Sequence, residues 1–468
     1  MTRFGSVGAV VGQGMLGGAL VSQGVLDEGV MEHFPPGGAV QMEYGDVPLA
    51  PLLWLDDIIN GAEQLDQARQ VNQRIDFLMK QRGLCLNQEK SVCIIMGSKK
   101  QKKCATSELE KQPLMCGAFV TQEKSKDKWL GQILSSAGLA DSVLQTVISR
   151  EGKVRGACLE IALIVNDWRA QNIGGMETAL MLWETCCIPS MMHGAGTWVE
   201  MNKATEKRLN SLQVWFVRLI LQVGQGSALS GLFWDTALLD FGLRIWIEKV
   251  MLIMHLRSLD ESTLSRSTYI KQKEKNWPGL VQETKIICQE LKIEDVNETK
   301  LNKNCFRSLL VKACHAKNEE RIIEGASNIK CSRIKNEKYG RKSYIKNQTI
   351  AQCRSWFKTR FGLQDFACNF SHNQKSSKTN WMCRCEKDIE AEGHIVTGQC
   401  DVYGDLRSQF GDLKEDRNLV KYFQAVLDRR DSLEEEDKQQ SSTAAVGART
   451  VLGDWDRTSQ PGSDISYG

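Results

Sequence analysis

The chain has 468 residues, of which 42% are hydrophobic and 25% are charged, and its formal net charge is +3. This composition is typical of a globular protein of roughly two to four domains, and it excludes a collagen-like, low-complexity or uniformly polybasic chain. The 16 cysteines are scattered, as reduced thiols are, and no window has the apolar quality of a membrane span. We therefore expect an intracellular protein, nuclear or cytoplasmic, without membrane association.

A glycine-rich stretch near the N-terminus contains GQGMLG at positions 12–17. Its spacing matches the dinucleotide-binding pattern G-x-G-x-x-G, but such a site also needs an acid after a second strand, about 20 residues later. Asp27 and Glu28 come too early for that role. Glycines also let the backbone approach a base pair or a phosphate closely, and Gln13 and Gly14 lie where the turn would open a helix.

The segment PLLWLDDIIN, residues 51–60, places Asp56 and Asp57 side by side within an apolar run. Two adjacent carboxylates repel each other, and a buried pair usually has a cation as its partner. The apolar runs on either side predict short strands joined by a turn, and carboxylate oxygens are the ligands that Mg²⁺ prefers. The alternative is a capped turn in which Asp57 hydrogen-bonds to the local backbone.

Residues 125–260 have the apolar periodicity of helices. The clearest segment is TEKRLNSLQVWFVRLILQV, in which Thr205 is the expected N-cap and the aromatic residues are expected to belong to the core. A second helical pattern, DFGLRIWIEKVMLIMHLRSL, follows it. Residues 261–380 are more charged and less periodic, so we expect short helices and linkers there.

A basic stretch lies between Lys330 and Arg360, where ten Lys or Arg residues stand against one acid, Glu337. Aromatic residues alternate with these cations. Basic residues interleaved with aromatics suit a polyanion such as nucleic acid. The alternative is a solvated charged face or a linker.

A cysteine–histidine cluster, CRCEKDIEAEGHIVTGQC, follows Trp381 with the spacing C-x-C-x8-H-x5-C. Three thiolates and one imidazole complete a tetrahedral zinc site, so the pattern predicts Zn²⁺ bound by Cys383, Cys385, His394 and Cys400. The alternative is four buried side chains without a metal. Together with Trp381 and the basic stretch, a zinc unit would form a module that handles nucleic acid.

Several motifs taken together resemble the reverse transcriptases of non-LTR (LINE-type) retrotransposons. VGQGMLGGALVSQ is similar to the motif in which a Gln-Gly pair grips template and nucleotide, and WLDDI is similar to the aromatic-x-Asp-Asp hairpin. GLCLNQEKS resembles the next motif of the palm, KWLGQIL the entry to the thumb, and LIMHLRSLDESTLSRSTY the segment beyond it. The resemblance covers roughly residues 5–260 and the cysteine–histidine cluster.

The resemblance implies an α+β fold in which a partial polymerase palm sheet with an Asp-Asp hairpin precedes a mostly helical thumb and a small zinc-stabilised C-terminal unit. The expected divisions are a partial palm (1–124), a thumb-like region (125–260), a charged helical or linker region (261–380), the zinc unit with its helix (381–434) and a disordered tail (435–468).

The resemblance also implies the chemistry of an RNA-directed DNA polymerase, in which two Mg²⁺ ions clamp the attacking and leaving oxygens. Asp56 would bind the metals directly, Asp57 would assist, and Lys90 would supply a proton to the leaving pyrophosphate. Gln13 and Gly14 would contact nucleotide and template. The expected partners are an RNA template and a DNA primer or target, with no small-molecule cofactor.

One departure from the family pattern affects this prediction. Reverse transcriptases carry another essential Asp in a strand upstream of the Gln-Gly motif, and no strand with an Asp followed by an aromatic residue precedes Gln13 here. We therefore expect the fingers and the first half of the palm to be missing and the chain to be inactive alone.

Three hypotheses stay open: an inactive reverse transcriptase fragment, a catalytically dead nucleic-acid-binding remnant, and an unselected remnant without a role.

Overall fold

The protein, in a computed structural model, has an α+β fold in which a small sheet precedes a larger set of helices. The structure describes residues 7–12, 40–41, 48–49, 52–54, 57–62, 64–81, 83, 87, 91–129, 131–167, 175–198, 201–224, 227, 229–261, 263–276, 279–326, 337–364, 366, 382–397, 400–413 and 415–452.

The strands are short and lie in the first third of the chain. In chain order they are β1 (Val7–Gly12), β2 (Val40–Gln41), β3 (Pro48–Leu49), β4 (Leu52–Trp54), β5 (Asp57–Ala62), β6 (Val92–Met96), β7 (Met115–Cys116), β8 (Phe119–Val120), β9 (Gln122–Glu123), β10 (Lys126–Trp129) and β11 (Gln132–Ser135).

The main sheet has five strands in the order β4-β5-β1-β6-β9. β1 pairs antiparallel with both β5 and β6, and only the pairing of β6 with the short β9 is parallel within this sheet. β6 is apolar throughout, and Val92 and Ile94 are completely buried, as expected of a strand covered on both faces. β1 therefore lies at the centre of the sheet.

Strands β4 and β5 form an antiparallel hairpin in which Trp54 pairs with Asp57. The connection is short, because only Leu55 and Asp56 separate the two strands, and both of these residues lie outside the described part of the chain. β5 in turn pairs with β1, where Ile58 is opposite Gly12.

Helices make up most of the remaining chain. They are α1 (Leu65–Gln81), α2 (Lys99–Lys111), α3 (Leu139–Asn166), α4 (Gly175–Leu182), α5 (Ile188–Met192), α6 (Lys203–Leu221), α7 (Leu229–Thr236), α8 (Phe241–Ser258), α9 (Leu264–Glu274), α10 (Leu280–Glu290), α11 (Lys303–Gly325), α12 (Ser343–Asn347), α13 (Ile350–Arg360), α14 (Glu392–Val396), α15 (Gly404–Gln409) and α16 (Asp416–Leu452). A π-helical turn, Trp183–Cys187, connects α4 to α5.

The two helices predicted between residues 205 and 260 are present as α6 and α8, but α6 begins earlier than expected. Its N-cap is Asn202, whose side-chain oxygen accepts a hydrogen bond from the Thr205 N–H at 2.8 Å. Thr205 itself is buried inside the first turn, so the prediction that it caps the helix is wrong. Asn and Thr both cap well, and the sequence alone did not separate them.

Two apolar cores hold helices α3 to α13 together. The larger one is built mainly by α3 to α7 and α13, and within it Trp183 stacks on Phe216 with ring centroids 4.6 Å apart. The second joins α8 to α9, α10 and α11. Both cores contain residues from before and after position 260, so the helices on the two sides of this predicted boundary pack as neighbours.

The hairpin β10–β11 is attached to the helices through Arg150 of α3. Its guanidinium donates to the carbonyl oxygens of Gly131 (2.7 Å), Met191 (2.9 Å) and His193 (2.8 Å). The ring of Trp198 lies 5.9 Å from the same guanidinium. One side chain therefore fixes the hairpin, the first half of α3 and the end of α5 relative to each other.

A buried ion pair attaches the segment 337–360 to α7. Asp235 is completely buried and accepts hydrogen bonds from Arg360 Nε (2.8 Å) and from the Tyr344 hydroxyl (2.7 Å). Burial alone would lower the pKa of Arg360, but the carboxylates of Asp235 and Glu337 outweigh burial and raise it above its usual range. Arg360 therefore remains charged in the core.

The last helix differs from the sequence prediction. We predicted disorder from residue 435, whereas α16 extends as one helix to Leu452. Glu, Gln, Lys and Ala dominate residues 434–446, and all four have high helix propensity, which the low apolar content had obscured.

None of the helices in the described part of the chain combines the length and the apolarity needed to cross a bilayer.

We predict that Asp235→Ala lowers the free energy of unfolding by about 3 kcal/mol or more, because it leaves the buried Arg360 guanidinium without its main partner. Urea unfolding followed by circular dichroism measures the change. Lys317→Gln is the matched control, since it breaks the exposed pair with Glu320 and should leave the unfolding midpoint unchanged. Equal midpoints for wild type and Asp235→Ala would contradict the prediction.

Candidate metal centre

The first two ligands of the cysteine–histidine cluster lie in a tight turn. Met382 and Ile389 form an isolated antiparallel bridge, and the Cys383 N–H donates to the Asp388 carbonyl at 2.8 Å. Glu386 closes the turn with a positive φ of 57° and donates its N–H to the Cys383 carbonyl at 2.8 Å. This turn brings Cys383 and Cys385 to one side of the loop despite the close C-x-C spacing.

The other two ligands come from short helical segments. His394 lies in α14, and Cys400 immediately precedes the 3-10 turn Asp401–Tyr403. Cys383, His394 and Cys400 are buried, and Cys385 is partly exposed. All four ligands therefore arise within 18 residues of sequence.

The four ligand atoms converge on one point. Their donor atoms all lie within 4.8 Å of one another. The Sγ atoms of Cys383 and Cys400 are 3.5 Å apart, and Cys385 Sγ is 3.1 Å from His394 Nε2. Two thiolates on a tetrahedral zinc-sized ion, with metal–sulfur bonds of about 2.3 Å, would be about 3.8 Å apart. The spacing therefore fits a single ion held by four ligands.

The electrostatics of the cluster favour a bound cation. Burial, together with the neighbouring thiols of Cys385 and Cys400, raises the pKa of the Cys383 thiol to about 12, although the Cys385 N–H acts in the opposite direction. At Cys385 burial also raises the pKa, but the Lys387 N–H and the neighbouring thiols outweigh it, so the net pKa is lowered. The Nδ1 atom of His394 is buried without a hydrogen-bond partner among the described residues. A cation would stabilise several thiolates at once.

An apolar core supports the cluster from below. Cys383 and Cys400 pack with aromatic and aliphatic residues of α15 and α16. The Tyr422 hydroxyl and the Arg407 guanidinium both donate to the carbonyl of Ile395, at 3.0 and 2.8 Å. Because Ile395 follows His394 directly, these two contacts hold the backbone that carries the imidazole. The sequence did not single out Tyr422 or Arg407, since nothing local marks them.

The unit that holds the cluster is joined to the helical body. The Gln364 N–H donates to Glu392 of α14 at 3.3 Å, and Phe366 packs edge-on against Phe423 at 5.4 Å between centroids. Gln364 follows α13, the helix that carries Arg360. The cluster is thus attached to the same segment that the buried ion pair holds.

The other predicted site residues cannot be placed around a second metal. Gln13, Gly14, Asp56 and Lys90 lie outside the described residues. Asp57 begins β5, and only its backbone is described. Trp381 also lies outside the described part.

The described part of the basic stretch, residues 337–360, is folded, and much of its charge points inward. Among the described residues 337–360, Arg360 binds Asp235, Arg341 lies 3.2 Å from Glu184, and Arg354 donates to the Ile220 carbonyl at 2.8 Å. The aromatic residues pack as well, with Tyr344 and Trp356 stacked at 5.7 Å. These side chains stabilise the helical body, whereas the two sequence interpretations were a stretch that binds a polyanion and a solvated charged face or linker. Lys338 and Lys346 remain exposed.

Neither a protein-family model nor a curated protein matches this chain.

We predict that the purified chain contains one equivalent of a transition metal and that Cys383→Ser removes it. The substitution should also lower the melting temperature of the C-terminal unit, since a cation would no longer offset the cost of burying the remaining ligands. Elemental analysis and a thermal melt measure the two effects. Cys104→Ser, at an exposed cysteine of α2, is the control and should keep both properties. Unchanged metal content in Cys383→Ser would contradict the assignment.

Proposed function

We propose that this chain is related to the palm, thumb and cysteine–histidine regions of LINE-type reverse transcriptases, and that it binds nucleic acid without catalysing nucleotide transfer alone. The observation that carries the proposal is the hairpin β4–β5. Trp54 pairs with Asp57 across this antiparallel hairpin, so Asp57 begins β5 directly after a two-residue connection, and the resemblance requires the Asp pair at such a connection.

The architecture around the hairpin supports the same relationship. Helix α1 connects β5 to β6, and β1 lies between these two strands in an otherwise antiparallel arrangement. After the sheet comes the hairpin β10–β11, which contains the sequence KWLGQIL and is followed by α3. The proposed order of palm, thumb and cysteine–histidine unit follows this sequence of elements.

The lack of catalysis follows from the strand beside the hairpin. β1 directly precedes Gln13 and Gly14, so it occupies the place of the strand that carries the additional essential Asp in the family. Its sequence is VGAVVG, and it offers no carboxylate. Two Mg²⁺ ions bring four positive charges, which Asp56 and Asp57 alone do not balance. Among the described residues β1 therefore adds no third carboxylate, and in this proposal the two-ion site is incomplete.

The metal of the cysteine–histidine cluster is, in this proposal, Zn²⁺. Three thiolates with one imidazole form a soft donor set, and four protein ligands close the coordination sphere without leaving a position for water. Such a site is structural. Cys383, Cys385, His394 and Cys400 would hold the turn and α14 in place so that the unit can contact nucleic acid.

A cobalt experiment tests the choice of metal. Replacing the native ion with Co²⁺ should give the visible absorption of a tetrahedral, thiolate-bound ion, and Zn²⁺ should displace it stoichiometrically, because zinc pays no ligand-field penalty in this geometry. Cys385→Ser should weaken the charge-transfer absorption. An octahedral Co²⁺ spectrum would contradict a closed Cys₃His site.

The functional test combines primer extension and binding. We predict that the chain binds an RNA template annealed to a DNA primer, with an affinity that falls steeply as salt is added, and that it does not extend the primer in Mg²⁺. Asp56→Ala should bind the duplex as the wild type does. Extension by the wild type that is lost in Asp56→Ala would show that the site is complete, and absence of any binding would refute the binding role.

A further inference from the structure

A group of seven lysines lies where α2 meets the segment leading into hairpin β10–β11; we call it the lysine surface. Its members are Lys99, Lys100, Lys102, Lys103, Lys124, Lys126 and Lys128. Five of them are exposed, and Lys102 and Lys124 are partly buried. The resemblance gave no role to the first four, which fall between two of its motifs.

Hydrogen bonds join the lysines of α2 and the lysines at positions 124–128 into one surface. Ser98 and Gln101 form a capping box that fixes the start of α2. The Lys102 ammonium donates to the Ser136 carbonyl. The preceding residue, Ser135, pairs with Lys126 across the hairpin. The lysines of α2 and of β10 are therefore held side by side.

The order of charges along α2 is unfavourable for the helix itself. Its first turn contains Lys99 and Lys100 and no acid, whereas Glu108 and Glu110 lie near its other end. Cations near a helix N-terminus oppose the macrodipole, at a cost of about 0.3–1 kcal/mol each. Helix stability therefore does not explain these lysines, which indicates that their charge serves another purpose.

The surrounding acids do not neutralise the surface. The segments 98–107 and 122–128 contain two acids, Glu123 and Asp127. Asp127 pairs with Lys124 at 3.4 Å, and Glu123 accepts a hydrogen bond from Thr106 at 3.1 Å. Lys99, Lys100 and Lys103 form no ion pair in the described part of the chain. Within these two segments seven positive charges stand against two negative ones, and a third acid, Asp141, lies nearby, where it accepts hydrogen bonds from Ser135 and Gln145.

We propose that the lysine surface binds the phosphodiester backbone of a nucleic acid, an inference that rests on the proposed function. Lysine ammoniums act as point charges that attract phosphates without reading bases. The surface lies beside the palm-like sheet, because α2 and the hairpin both contact β6, and beside the helices, because β11 contacts α3, so a duplex bound there would run past both. Binding is independent of sequence and weakens with salt, because each neutralised phosphate releases about one counterion.

The test replaces four exposed lysines by glutamine: Lys99→Gln, Lys100→Gln, Lys103→Gln and Lys126→Gln in one chain. Lys102 is kept because it connects α2 to the hairpin. Affinity for a fluorescent RNA–DNA primer–template is measured at several salt concentrations. We expect affinity to fall at least about tenfold at low salt, and the slope of log affinity against log salt to decrease by about 3.

Two further readouts separate binding from structure. The quadruple variant should melt at the same or a higher temperature, because removing Lys99 and Lys100 relieves the unfavourable charge at the helix start. A matched control changes four exposed lysines of the α10–α11 region, Lys285, Lys300, Lys303 and Lys312, to glutamine. It has the same net charge and should bind within about twofold of the wild type.

The possible failures are distinguishable. Wild-type binding with an unchanged affinity and slope in the quadruple variant would overturn the lysine surface and leave the proposed function standing. No binding by the wild type would overturn both. Binding to phosphatidylserine vesicles instead of the duplex, lost in the quadruple variant, would assign the surface to a membrane and overturn the inference.

Discussion

The pairing of Asp235 with Arg360 is the constraint on which the helical part of the molecule depends. The two residues are 125 positions apart, and neither charge can be buried without the other. Their contact holds α7 against α13, and α13 leads through Gln364 to Glu392 in the metal unit. One ion pair thus sets the relative position of the helices and the metal unit, which the sequence analysis had divided into separate regions.

What the sequence could predict was mostly local. The periodicity of α6 and α8 is visible because it repeats every turn, and the metal ligands are visible because they lie within 18 residues of each other. The inward use of Arg341 and Arg354 was not predictable, since their partners Glu184 and Ile220 lie more than 100 residues away. A cluster of cations has the same appearance in sequence whether its partner is solvent, a ligand or a distant carboxylate.

The two candidate sites illustrate the same difference. The cysteine–histidine cluster is made by one turn and two short helices, so its spacing carries most of its geometry. The region of the Asp pair depends on strand pairing instead. β1 lies between β5 and β6 because of hydrogen bonds between residues far apart in sequence. The sequence VGAVVG contains no pattern that predicts these partner strands. The sequence suggested strands around the Asp pair but not their order.

The hairpin β10–β11 is attached to the rest of the molecule at two places, through Arg150 and through Lys102. On one side it is fastened to α3 and α5, and on the other to α2 through Lys102 and Ser136. The hairpin therefore connects α2 to α3 and α5. Because the hairpin is attached to α2 and to α3 at the same time, the position of α3 sets the distance between Lys126 and the lysines of α2, and with it the spacing of the charges on that face.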